Sequence, residues 1–172
     1  MLFLLGGFGG AINAAYALNS VVHNTAWIAA HFHLTVGSAV ALTFMGAAYW
    51  FVPKVSGREL ELGLLAKVQP YLWFLGMALF SFTGHIAGLL GLPRRVFTTD
   101  MGGAEQAQAW DALTNISAIG GMVLFASAGF FLLVMFGTLL AGKRQAPAPL
   151  EWAEPLGTPS DGFRPGLWDR LG

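Results

Sequence analysis

The stretch Thr25–Val52, TAWIAAHFHLTVGSAVALTFMGAAYWFV, runs 28 residues without an acidic residue, a lysine or an arginine. A hydrocarbon core of ~30 Å takes about 20 helical residues, so this stretch can cross a bilayer as one helix. The same feature recurs outward in both directions. No Asp, Glu, Lys or Arg occurs from Met1 to Pro53, from Val68 to Pro93, or from Ala112 to Gly142. Of 172 residues, 55% are hydrophobic and only 10% charged, against roughly a quarter charged in a soluble domain. The chain therefore reads as all-α, a polytopic transmembrane helix bundle with about four membrane segments.

Punctuation residues set the expected boundaries. The first segment covers about 1–18 and divides from the next near Asn19-Ser20; its glycines (Gly6, Gly7, Gly9, Gly10) permit close helix approach. The second covers about 25–52 and ends at Pro53; the third covers about 68–90 and closes at Gly91 and Pro93. A polar loop from Arg94 to Asp111 leads to the fourth, about 113–141. The transmembrane region is thus 1–142. Residues 143–172 form a polar tail holding five of the eight prolines, expected to lie extended at the cytoplasmic side. Lys54, Arg58 and Lys67 in one loop and Lys143 and Arg144 after the last helix place those ends in the cytoplasm by the bias of basic residues.

Net charge is zero, which gives no electrostatic case for a nucleic-acid partner. Without cysteine there are no disulfides or thiolate ligands, and histidine becomes the main candidate metal ligand. The chain opens inside an apolar run with neither a basic n-region nor a polar c-region, as expected of a chain missing its beginning.

The most specific feature is His23-Asn24-Thr25-Ala26-Trp27-Ile28-Ala29-Ala30-His31-Phe32-His33. Ionisable residues inside a membrane helix point to function. Residues i and i+2 sit about 200° apart on a helix, so His31 and His33 cannot chelate one ion as an i,i+4 pair does. If both are ligands, they serve two centres on opposite sides of one helix, and haem is the flat cofactor with an axial imidazole. The plainer reading is a histidine hydrogen-bonded to a carbonyl or a neighbouring helix. That reading is adopted for His85, in Gly84-His85-Ile86-Ala87-Gly88.

His-Asn-Thr-Ala-Trp followed by His-Phe-His resembles the tenth transmembrane helix of subunit I in haem–copper oxidases, and Gly91-Leu92-Pro93-Arg94-Arg95 resembles the family's Pro-Arg-Arg outer loop. The order and spacing of the two motifs also fit, over essentially the whole chain. The four segments then resemble the end of helix nine and helices ten to twelve. Asn24, Ala26 and Trp27 resemble the B family of cytochrome c oxidases, since the A family usually reads His-Asp-Thr-Tyr. Phe32 disfavours the nitric oxide reductases and the cbb-type oxidases.

The resemblance implies that His31 is the proximal ligand of a high-spin haem at the oxygen-reducing site. It implies that His33 is an axial ligand of a low-spin haem, with Phe32 packed between the two. His23 matches a histidine near the high-spin haem propionates; its neighbour Asn24 departs from the A-family aspartate, so magnesium ligation is not carried over. Arg94 and Arg95 match the pair that holds the propionates, as guanidinium forks suit carboxylates; ordinary interfacial snorkelling is the plainer alternative. The copper at the oxygen site and the second low-spin ligand would come from helices outside this chain. Leu167-Trp168-Asp169-Arg170-Leu171-Gly172 resembles the entry to a further helix, so a fragment or one half of a split subunit is expected. The implied function is part of the catalytic subunit of a respiratory terminal oxidase, reducing oxygen to water with proton translocation. Its partners would be the remainder of subunit I, subunit II, cytochrome c or a similar donor, and membrane lipid. Its place would be the bacterial or archaeal cytoplasmic membrane. The alternatives are a haem-binding electron carrier without oxygen chemistry and a non-redox helical assembly protein.

Overall fold

In hydrocarbon a backbone has only its own N–H and C=O groups to bond, and the charge-free stretches accordingly fold as helices. The computed structural model describes residues 2–96 and 101–144. It contains α1 (Leu2–Ala14), α2 (Tyr16–Val22), α3 (Ala26–Phe32), a π-helical segment (His33–Val40), α4 (Ala41–Ser56), α5 (Gly63–Leu89) and α6 (Glu105–Ala141). Helix α3, the π segment and α4 run on as one 31-residue span, Ala26–Ser56. Three helices are long and apolar enough to cross a membrane, and α1 with α2 makes a fourth if that bent pair counts as one span. Of the proline-rich tail, residues 145–172 lie outside the described residues, as does Asp100.

Several boundaries differ from those the sequence predicts. The first segment bends by 104° between α1 and α2, at Ala15, where the backbone is extended, rather than near Asn19-Ser20. Alanine is a good helix former, so packing sets this break: α1 lies along the π segment, while α2 reaches α3 and α5. Helix α4 continues through Pro53 to Ser56 and stops at Gly57, whose left-handed φ of 60° lets its N–H bond the Pro53 carbonyl. Helix α5 starts at Gly63, upstream of 68, and contains Pro70. Helix α6 starts at Glu105 rather than 113 and absorbs Glu105 and Asp111; an acidic first turn suits the positive end of the helix dipole.

Small residues bring α5 and α6 together. A Cβ on Gly120 would stand 2.6 Å from Phe80 N and 2.9 Å from Gly76 O. Deeper in the bundle, the fully buried Gln69 joins all three long spans. Its Nε2 donates to Ser127 Oγ (3.0 Å), its Oε1 accepts from Tyr49 OH (3.2 Å), and Ser127 Oγ donates to its carbonyl (2.9 Å). At one end Arg58 Nη1 donates to Gly142 O (2.9 Å) and Glu59 N to Lys143 O (2.9 Å). This contact brings the basic loop after α4 and the basic flank of α6 to the same end.

Gly120→Ala is expected to lower stability by about 1–3 kcal/mol, as overpacking does. Gly121→Ala, where nothing lies within 4 Å of the added carbon, should leave it near the parent value. Thermal unfolding in detergent compares the two, and equal melting temperatures would show that the α5–α6 seam has slack.

Candidate functional site

The motif His23-Asn24-Thr25 lies where α2 hands over to α3. Thr25 is the N-cap: its hydroxyl accepts from Trp27 N (3.3 Å) and donates to Val22 O (2.7 Å). The loop after α5 closes on this turn. Ala26 N donates to Leu92 O (2.8 Å) and Arg94 N to Asn24 O (3.0 Å), with a bridge pairing Thr25 and Pro93. Arg94 Nη2 also donates to Asn24 Oδ1 (3.2 Å). His23, Asn24, Arg94 and Arg95 therefore share one end of the bundle. Asn24 and Arg95 both have left-handed backbones, with φ of 60° and 63°. Asparagine tolerates that conformation, whereas for arginine it is strained. His23 and Arg95 are exposed, while Arg94 is half-buried and its Nε is enclosed with no hydrogen-bond partner.

The two histidines of His31-Phe32-His33 diverge. The His31 ring lies against α1: a Cβ on Gly9 would stand 3.1 Å from His31 Nδ1, and one on Gly10 3.3 Å from its Cε1. The His33 ring instead packs at a tilt of 46° against Phe80 of α5, centroids 4.5 Å apart. Phe32 projects between them and is 55% exposed. His33 Nδ1 lies 2.8 Å from Ala29 O. A carbonyl only accepts, so Nδ1 carries the proton and Nε2 keeps its lone pair, the tautomer a metal ligand needs. His31 Nδ1 is buried without a hydrogen-bond partner.

His85, expected to be a satisfied core histidine, does bond the backbone, Nδ1 to Ser81 O at 2.7 Å. It also stands beside His31, its Nε2 3.4 Å from the same Gly9 Cβ position, and meets the Trp27 ring edge-on at 4.5 Å. Sequence reasoning missed this neighbourhood. Its signal was the Gly84-His85-Ile86-Ala87-Gly88 spacing, because Gly84 packs on Ala30 and Gly88 on Trp27.

On the His33 side, a cleft of about 100 Å³ is lined by Ala26, Ala29, Phe80, Thr83 and Ser117, among others. Among the described residues no group of three or more His, Cys, Asp or Glu could hold a metal ion. The donor set is the His33 imidazole on one side of α3 and the imidazoles of His31 and His85 on the other. That is too few donors for a bare ion, and it fits a haem, whose ring supplies four nitrogens and leaves axial positions open.

Residues 1–123 match the family model for cytochrome c and quinol oxidase polypeptide I. The chain belongs to this family. Cytochrome c oxidase subunit 1 of Thermus thermophilus is 39% identical over 178 residues, covering 99% of this chain and 31% of that protein. Its counterpart in Alkalihalophilus pseudofirmus is 36% identical over 170 residues, covering 94% of this chain and 26% of the relative. A solved heme–copper terminal oxidase dimer superposes with a TM-score of 0.77 at 36% identity, over 86% of this chain and 26% of that one. The chain thus spans less than a third of each of these oxidase chains. The family, the all-α architecture and the membrane-spanning helices agree with one another, and the chain is an integral membrane protein.

Thr25→Val should cost about 1 kcal/mol, the worth of an N-cap, and loosen the turn that carries Asn24. Thr25→Ser, which keeps the hydroxyl, should restore most of it. Detergent melting curves of both variants test this; a Val variant as stable as the parent would mean that the Leu92 and Arg94 hydrogen bonds hold the turn alone.

Proposed function

We propose that this chain forms part of the catalytic subunit of a respiratory terminal oxidase of cytochrome c oxidase type, resembling the B family. That enzyme reduces oxygen to water with coupled proton translocation in a bacterial or archaeal cytoplasmic membrane. The observation that carries the reading is the divergence of His31 and His33 from one helical turn, toward α1 and α5 respectively.

On this reading His31 is the axial ligand of the high-spin haem and His33 that of the low-spin haem. When bound, the haems would supply the redox iron, His31 holding one and His33 the other. The protein's part is to hold and orient. The Ala29 carbonyl fixes the His33 ring and keeps Nε2 outward. Gly9 and Gly10 leave room for the His31 ring where larger side chains would displace it. At the end of the bundle Arg94 and Arg95 pair with propionate carboxylates, with His23 beside them, and lower the cost of burying that charge. Copper at the oxygen site and the second low-spin ligand come from the remainder of subunit I. The exposed row Phe32, Val36, Val40 and Phe44 offers an apolar face for that remainder. Subunit II and cytochrome c, or a similar donor, complete the electron supply.

In the assembled oxidase, His31→Ala should abolish carbon monoxide binding and oxygen reduction while leaving the low-spin bands. His33→Ala should lose the low-spin bands and stop electron delivery. Reduced-minus-oxidised and carbon monoxide difference spectra read both. A His31→Ala enzyme that still binds carbon monoxide would sink the assignment. Low-spin bands alone in the parent would leave only an electron carrier, and no haem at all would leave a structural bundle.

A further inference from the structure

We infer that Asn24 is a positioning residue that holds the Arg94 guanidinium in place while leaving its charge uncancelled. The inference rests on the reading of Arg94 as a propionate partner. Arg94 is attached to Asn24 at two points, through its backbone N–H to Asn24 O (3.0 Å) and through Nη2 to Asn24 Oδ1 (3.2 Å). A guanidinium only donates, so the accepting atom must be the amide oxygen. The same side chain keeps its enclosed Nε without a partner, so Asn24 does not use up its donors.

The backbone restricts what can do this job. At φ 60° glycine, asparagine and aspartate are the residues accommodated with least strain. Glycine has no acceptor. Aspartate has one, but its negative charge a hydrogen bond away from the guanidinium would offset the cation. Asparagine alone combines the permitted backbone, a short acceptor and no charge. In this chain Asn24 therefore serves as a clamp that orients Arg94 and leaves its full positive charge to act on an anionic neighbour. Nearby positive charge disfavours the more positive, oxidised iron and raises a haem's reduction potential.

Redox titration of the assembled oxidase, with haem content measured in parallel, tests this in four variants. Arg94→Gln should lower the potential of the adjacent haem. Asn24→Gly, which removes the carboxamide without straining the backbone, should lower it in the same direction by less. In the Arg94→Gln background Asn24→Gly should add nothing, since the effect runs through Arg94. Asn24→Asp should keep full haem content yet lower the potential about as far as Arg94→Gln. If Arg94→Gln shifts the potential and Asn24→Gly does not, the clamp is overturned and the propionate reading stands. An equal Asn24→Gly shift with and without Arg94 also overturns it. If Arg94→Gln itself leaves potentials unchanged, the propionate reading fails and the clamp with it. Should Asn24→Gly fail to assemble, Asn24→Asp decides, and an unaltered potential in that variant refutes the inference.

Discussion

Hydrocarbon offers no hydrogen-bond partners, and the arrangement of this bundle follows from that shortage. Several hydroxyls inside the spans return to their own helix: Thr43 Oγ1 to Ala39 O (2.6 Å), Thr83 Oγ1 to Leu79 O (2.6 Å), and Ser38 Oγ to Leu34 O. Gln69, too long to do so, is met from two other spans by Tyr49 and Ser127. Against this thrift the exceptions gather in one region. Trp27 Nε1 and His31 Nδ1 lie one turn apart on α3, Ser81 Oγ lies one turn from His85, and Arg94 Nε lies at the neighbouring end; each is buried without a hydrogen-bond partner, as is Asn13 Oδ1. Among the described residues, four of these five unpaired polar atoms lie on or beside α3 and its neighbour α5.

The π segment bears on the same helix. It begins at His33, so the turn that separates His31 from His33 is still α-helical and the two rings diverge as that geometry requires. Beyond His33 the wider i→i+5 turn changes the phase. The exposed row Phe32, Val36, Val40 and Phe44 repeats every four residues, slower than the 3.6 of an α-helix. Within this segment the Gly37 carbonyl takes the Trp73 indole N–H at 2.9 Å. A helix that turns more slowly keeps one apolar row facing outward for longer.

How much was legible beforehand depended on the length over which each signal acts. The absence of charge over twenty and more residues is a property of the sequence alone, and the three helices long and apolar enough to cross a membrane each contain such a stretch. The divergence of His31 and His33 needs only helix geometry, and the meeting of His23 with Arg94 needs only alternating spans. Other features are set by contacts between segments distant in the chain. Nothing at Ala15 predicts a bend, because the residue is a good helix former and α1 bends for its packing on the π segment. Pro53 reads as a stop, yet the helix runs on through it to Ser56 and Gly57 terminates it instead. The charges Glu105 and Asp111 read as loop, whereas α6 carries them beyond the lipid. His85 reads as an isolated core residue because its nearness to His31 exists only once α5 packs on α3.

That overlong helix has a consequence for ionic strength. At 37 residues, α6 measures about 55 Å against a hydrocarbon core of ~30 Å, so part of it stands above the membrane. There Ala107 and Trp110 pack with Ala87 and Leu92, over the start of α3 at Ala26, and the Trp110 indole N–H bonds Leu90 O at 3.0 Å. These apolar groups lie next to the turn that carries Asn24 and Arg94, since Leu92 O accepts from Ala26 N. Dissolved salt screens charges in open water within about 8–10 Å, and partly buried charges much less. Salt therefore screens the half-buried Arg94 less than it screens the exposed Lys67, Lys143 and Arg144 at the opposite end.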